Sequence, residues 1–194
     1  MNIENANLAF GALTKRKATR YIVLHHRAGN GDITSLHAGH LAQGWSGCGY
    51  HFYVRKDGSV WQGRPQDSVG AHCLGYNDRS IGVCFEGNFE TEAPTNAQRE
   101  AGKALVAYLL QSFPQCVVKG HRDLNPTACP GKNFFVAEFL PDNALMSYGE
   151  AIAFWQQKGV IQSPQTWYEG RQTAKDAEWL CRKTAQWAAL HVDS

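Results

Sequence analysis

The 194-residue sequence contains no apolar run approaching the roughly 18 residues that a membrane-spanning helix requires, so no membrane insertion is expected. Met1 to Thr14 lack a basic stretch followed by an apolar one. No secretory leader is read there, and the expected location is the cytoplasm. Low-complexity tracts and internal repeats are also missing, which removes disordered, fibrous and solenoid classes. Charge of one sign is scarce: the formal net charge is +2. That excess is too small to argue for nucleic acid as a partner. What remains is an ordinary soluble chain, long enough to bury one proper core with room for a small appendage. Its six cysteines are Cys48, Cys73, Cys84, Cys116, Cys129 and Cys181. Without a leader they are expected to be reduced and mostly buried, and committing Cys129 to a metal would leave five, which cannot all pair within the chain.

Hydrophobic patterning gives alternating elements. RYIVLHH (20–26) is an apolar, β-branched run that reads as a central strand delivering histidine at its C-terminal end. Asp32 is placed to cap a helix reaching about Gln43, with Ile33, Leu36, His40 and Leu41 at helical spacing. YHFYVRKDGSVWQGR (50–64) reads as a hairpin around Lys56-Asp57-Gly58. SIGVCFEG (80–87) is a further buried strand. Thr95 and Gln98 form a capping box ahead of a helix to about Ser112, whose apolar face is read as Ala101, Leu105, Tyr108 and Leu109. CVVKGH (116–121) is the last strand. The pattern is α/β, a mixed central sheet flanked by helices.

Near Pro141 the character changes, and the chain is divided into a main domain, 1–142, and a helical C-terminal extension, 143–194. In the extension Ser147 and Glu150 form a capping box for a helix presenting Tyr148, Ile152 and Trp155 before Gly159. A second helix carries Leu180, Thr184, Trp187, Ala188 and His191 on one side. Two helices alone bury too little to stand independently, so they are expected to cover the main domain or form a small module.

The segment richest in chemistry is GHRDLNPTACPG (120–131). His121 ends a strand, and Cys129 returns eight positions later on a Pro-containing loop. A third donor must come from elsewhere, and His25 at the end of RYIVLHH is the natural candidate. Two His and one Cys leave the fourth tetrahedral position for water, the pattern of a catalytic zinc site. His26 points to the opposite face of its strand and cannot easily reach the same metal. Taken alone, a His–Cys pair at this spacing is more often a satisfied polar position than a metal site.

Four segments in one order make the chain recognisable: YIVLHHRAG, GYHFYVRKDGSVWQGR, VGAHCLGYNDRSIGVCFEGNF and GHRDLNPTACPG. Together, over about 20–135, they resemble the zinc N-acetylmuramoyl-L-alanine amidases, a family that includes amidase-type phage lysozymes and peptidoglycan recognition proteins. The resemblance implies Zn2+ as cofactor, with His25, His121 and Cys129 as its ligands. The cysteine is the ligand that recognition-only members replace. Tyr50 matches the family tyrosine beside the metal, and Thr127 a position that is lysine in phage enzymes and often threonine in recognition-protein amidases. On the residues alone, Tyr50 reads as a half-buried strand aromatic and Thr127 as a hydroxyl bonding its own loop. His72 and Asn77 fall where the family lines its substrate groove, with turn chemistry as the alternative. Cys84 stands where the cytosolic recycling branch carries a catalytic glutamate; Glu86, two residues on, could substitute as a base, although a structural or groove role is favoured.

The activity implied is hydrolysis of the lactyl amide between N-acetylmuramic acid and L-alanine, with peptidoglycan or muropeptides as partner and a monomer as the acting species. A phage endolysin, reaching the wall after holin-type release, is favoured by Cys84 over a recycling enzyme. Two rivals stand beside it. One is a binding module that does not cleave; the other is a cysteine amidase with Cys129 as nucleophile and His121 as base. The cysteine's Pro-rich loop, which offers no helix N-terminus to lower its pKa, argues against the second.

Overall fold

The computed structural model of the chain describes residues 1–140, and these form a unit running Met1–Phe139. The helices expected after Pro141, and Cys181, lie outside the described residues. The fold is α/β. Strands β1 (Glu4–Asn5), β2 (Tyr21–His26), β3 (Phe52–Val54), β4 (Val60–Gln62), β5 (Ser80–Phe85) and β6 (Val117–Gly120) form one sheet. Their order is β1-β4-β3-β5-β2-β6. Only β3 and β4 pair antiparallel; β2 runs parallel to both β5 and β6, and β3 parallel to β5. Ile22, Val23 and Leu24 are completely buried, as a central parallel strand covered on both faces requires.

Helix α1 (Ile33–Ala42) starts where expected: Asp32 Oδ1 accepts from the Ser35 N–H at 2.8 Å. Helix α2 (Asn96–Ser112) has the full capping box, with the Gln98 N–H donating to Thr95 Oγ1 and the Thr95 N–H to Gln98 Oε1. Its inner face differs from the sequence reading. Leu105 and Leu109 are buried as expected, but Gly102 and Val106 complete the stripe and Tyr108 is exposed. The helix is rotated so that Gly102 meets aromatic rings: a Cβ there would lie 2.6 Å from Phe139 and 2.7 Å from Phe85. Leu41 likewise ends exposed, on the solvent side of α1.

Alternation along β5 puts the helices on opposite faces. Cys84 belongs to a cluster with Ile33, Leu36, Cys48 and Tyr53, whereas Phe85 faces Gly102 of α2. The hairpin forms with shorter strands than the sequence suggested, and Gly58 takes the positive φ of 85° that its turn demands. The N-terminal segment adds what patterning did not signal: β1 pairs with β4, while Leu8 and Phe10 pack on the Cys48–Cys84 cluster. Five described cysteines are free thiols, and Cys48, Cys73, Cys84 and Cys116 are buried. No helix among the described residues is long and apolar enough to cross a membrane.

Candidate metal centre

Strand register brings the first two donors together. Leu24 pairs with Gly120 across β2 and β6, so the next residues, His25 and His121, emerge side by side at the carboxyl ends of their strands. After β6 the chain turns at once: the Gly120 N–H donates to Asp123 Oδ2 at 2.7 Å. Arg122 folds the following loop back, its N–H donating to Cys129 O and its guanidinium to the carbonyls of Gly131 and Phe134. Cys129 therefore returns to the histidines. One ligand atom from each of His25, His121 and Cys129 lies within 4.8 Å of the others. Cys129 Sγ is 3.6 Å from His25 Nδ1. Tetrahedral zinc with ordinary Zn–N and Zn–S bonds separates such atoms by about 3.6 Å.

The electrostatics fit a cation. Burial, then the neighbouring His121 and His26, holds His25 well below the usual histidine range. Burial also lowers His121, against the opposing hydrogen bond it donates to Asn125. Both imidazoles are thus neutral at pH 7 and offer a lone pair. Burial pushes the Cys129 thiol up to about 11, so a bound divalent cation would supply what makes it a thiolate. Two imidazoles and one thiol suit zinc, and three protein donors leave a position for water or a carbonyl oxygen.

Tyr50 lies just ahead of β3, its ring centroid 5.1 Å from that of His25. Burial raises its phenol well above the ordinary tyrosine value, so it remains a donor at working pH. Thr127 Oγ1 accepts from the Cys129 N–H at 3.2 Å, which is the local loop bonding that was its alternative reading. His72 is buried behind His25, its Nδ1 3.0 Å from His25 Nε2. Asn77 turns its Oδ1 onto the N–H groups of His72 and Cys73, at 2.8 and 2.9 Å. Asn77 thus holds the turn, and His72 backs the candidate ligand His25. His26 faces away, accepting from the Phe89 N–H. Glu86 is buried and accepts from the N–H groups of Gly31 and Lys56, joining two loops. Nothing in the sequence singled out Asn125, Ser80 or Cys73, which contact His121, His72 and Asn125 respectively.

His51 sits next to Tyr50 but points into the core, where its Nδ1 accepts from the Gly82 N–H and its Nε2 lies 3.0 Å from Ser68 O. Burial lowers its pKa from 6.5 to about 3. Because the folded value lies below the unfolded one, the stabilisation is complete above pH 6.5 and is lost as pH falls towards 3. Between pH 6.5 and 5 the expected loss from this group is about 2 kcal/mol. Urea unfolding of the metal-free protein would read it as a slope that flattens in His51→Asn; an unchanged slope would remove His51 as its source.

The sequence over residues 15–132 matches the family model described as N-acetylmuramoyl-L-alanine amidase. The endolysin of Klebsiella phage KP32 is 37% identical over 126 residues, covering 60% of this chain and 83% of the phage protein. Among solved structures, the N-acetylmuramoyl-L-alanine amidase LysC from Clostridium intestinale superposes with a TM-score of 0.70 at 38% identity, covering 72% of this chain and 95% of LysC. A mutant of Drosophila PGRP-LB in complex with tracheal cytotoxin gives 0.61 at 26% identity, covering 68% and 87%. The chain belongs to the N-acetylmuramoyl-L-alanine amidase family.

Proposed function

We propose that this chain is a zinc-dependent N-acetylmuramoyl-L-alanine amidase, hydrolysing the lactyl amide between N-acetylmuramic acid and L-alanine in the walls of a bacterial host. The observation that carries the reading is the convergence of His25, His121 and Cys129 on one point. Zinc held there supplies Lewis acidity towards an amide carbonyl and towards water. The protein's own groups do the rest. His25 and His121 stay neutral and hold the ion, and Cys129 offsets its charge. Tyr50, protonated throughout the working range, donates to the oxygen that becomes anionic as the carbonyl is attacked. The Thr127 oxygen accepts from its own loop, which leaves its proton free to donate to the same oxygen.

The role proposed is that of a phage or prophage endolysin acting as a monomer, made in the cytoplasm and released to the wall. Its similarity to the phage endolysin supports this. Cys84 adds support, being completely buried in the α1 cluster where a catalytic carboxylate would mark the recycling branch.

The test is release of amino groups from purified sacculi, with EDTA and with zinc restored. Activity lost to EDTA and recovered with zinc is the expected result. Activity confined to soluble anhydro-muropeptides would instead identify a recycling enzyme. No cleavage of either substrate by zinc-loaded protein would leave a binding module.

A further inference from the structure

Each histidine of the metal centre can bind zinc only through the nitrogen that carries no proton, and a neutral imidazole has one such nitrogen. We propose that the loop 72–77 decides which nitrogen that is, for both histidines, through two hydrogen-bond chains that end on its backbone carbonyls. The inference rests on the zinc reading above.

The first chain runs from His121. Its Nε2 is 3.2 Å from Asn125 Oδ1, and Asn125 Nδ2 donates to Leu74 O at 3.2 Å. A carbonyl can only accept, so the amide must turn its NH2 end to Leu74 and its oxygen to His121. That oxygen can only accept in turn, which places the proton on His121 Nε2 and leaves Nδ1 with its lone pair. The Cys73 thiol donates to the same Asn125 oxygen at 2.9 Å and occupies its second acceptor direction. With the amide reversed, its nitrogen would face two donors and its oxygen a carbonyl.

The second chain runs from His25. Tyr76 O accepts from the Ser80 hydroxyl at 2.7 Å, which spends that group's only proton. Ser80 Oγ must then accept from His72 Nε2, at 3.4 Å the longest link in the chain. His72 Nδ1 is left as an acceptor, and His25 Nε2, 3.0 Å away, donates to it. The free nitrogen of His25 is therefore Nδ1, the atom that lies 3.6 Å from Cys129 Sγ. Two chains built from different residues thus give the same answer for both histidines.

The loop is fixed well enough to impose that answer. Asn77 Oδ1 holds the His72 and Cys73 N–H groups, the Tyr76 N–H donates to Cys73 O, and Arg79 Nη2 donates to Gly75 O. Asn125 and Ser80 never reach the ion themselves. They are positioning residues, and partners of this kind typically account for about 10–100-fold in metal affinity.

The experiment is zinc affinity by chelator competition on the full chain, for wild type, Asn125→Leu, Asn125→Asp, Ser80→Ala and Ser80→Thr. Wild type is measured first, and failure of wild type to bind zinc would overturn the zinc reading itself. With zinc bound by wild type, Asn125→Leu and Ser80→Ala are expected to weaken it by about 10–100-fold each. Asn125→Asp gives up the link to Leu74 but has oxygens that can only accept, so it fixes the His121 proton without the loop; it and Ser80→Thr, which keeps its acceptor, are expected to stay within about threefold of wild type, a rescue that a merely structural role would not give. Affinities of the Leu and Ala variants matching wild type would overturn the inference. So would Asp and Thr variants that lose as much affinity as the others, whether by misfolding or otherwise.

Discussion

Cys129→Ala is expected to yield a folded protein that no longer retains zinc and no longer releases amino groups from sacculi. Among the three donors only the thiol can bring negative charge to the ion. Its burial, which holds the free thiol up to about 11, leaves the cation as the group that draws off its proton. Without it two neutral imidazoles remain, and affinity should fall by more than the roughly 100-fold that marks the upper end for a supporting partner. The loop itself does not depend on the sulfur. Arg122 ties it through the carbonyls of Cys129, Gly131 and Phe134, all backbone atoms that alanine leaves in place. Zinc content after dialysis, paired with a thermal melt, separates loss of metal from loss of fold. A zinc-free Cys129→Ala protein with full activity would sink the metal mechanism and leave no role for the triad.

Tyr50→Phe should leave zinc content and KM unchanged while kcat falls about 100- to 1000-fold, the usual effect of deleting one donor to a developing oxyanion. Phenylalanine preserves the packing, since the ring is held by the imidazoles of His25, His40 and His72 at centroid distances of 5.1, 5.8 and 6.1 Å. Among the described residues the hydroxyl makes no hydrogen bond that its removal would break, so only an interaction with substrate is lost. Burial keeps the phenol protonated, so the deficit should persist across neutral and mildly alkaline pH. Steady-state kinetics on a soluble muropeptide would give kcat and KM separately. An unchanged kcat would confine Tyr50 to packing.

The parts of this fold that were legible in the sequence are those fixed by neighbours in the chain. The Thr95–Gln98 capping box, the Asp32 cap and the Gly58 turn each depend on residues within a few positions, and each formed as read. His25 and His26 separated onto opposite faces because a strand allows nothing else. What could not be read depends on contacts made late. The α2 stripe was misassigned at Tyr108 because the helix turned to let Phe85 and Phe139 approach Gly102, and no periodicity encodes that approach. Strand β1 is two residues long and exists through its partner β4. Motif position marked His72 and Asn77 as important but could not say which way they face. Asn125 carried only the Asn-Pro signature of a turn, and its two-sided bond to His121 and Leu74 appears only once Cys73, 52 positions earlier in the chain, is folded against it.

Gly70 and Gly82 tie the inheritance of this centre to positions that carry no chemistry. The His72 ring lies between them, and a methyl group would come within 2.5 Å of it at Gly70 and 2.6 Å at Gly82. Neither glycine has the left-handed backbone that would bar alanine by itself, so it is ring contact that forbids it: His72 at both positions, joined at Gly70 by the His51 ring at 3.0 Å. A smaller side chain at 72 would open Gly82, leave His51 still crowding Gly70, and strip His25 of its support. A lineage that drifts at Gly82 would therefore first have to abandon the imidazole behind His25, and one that drifts at Gly70 would have to move His51 as well.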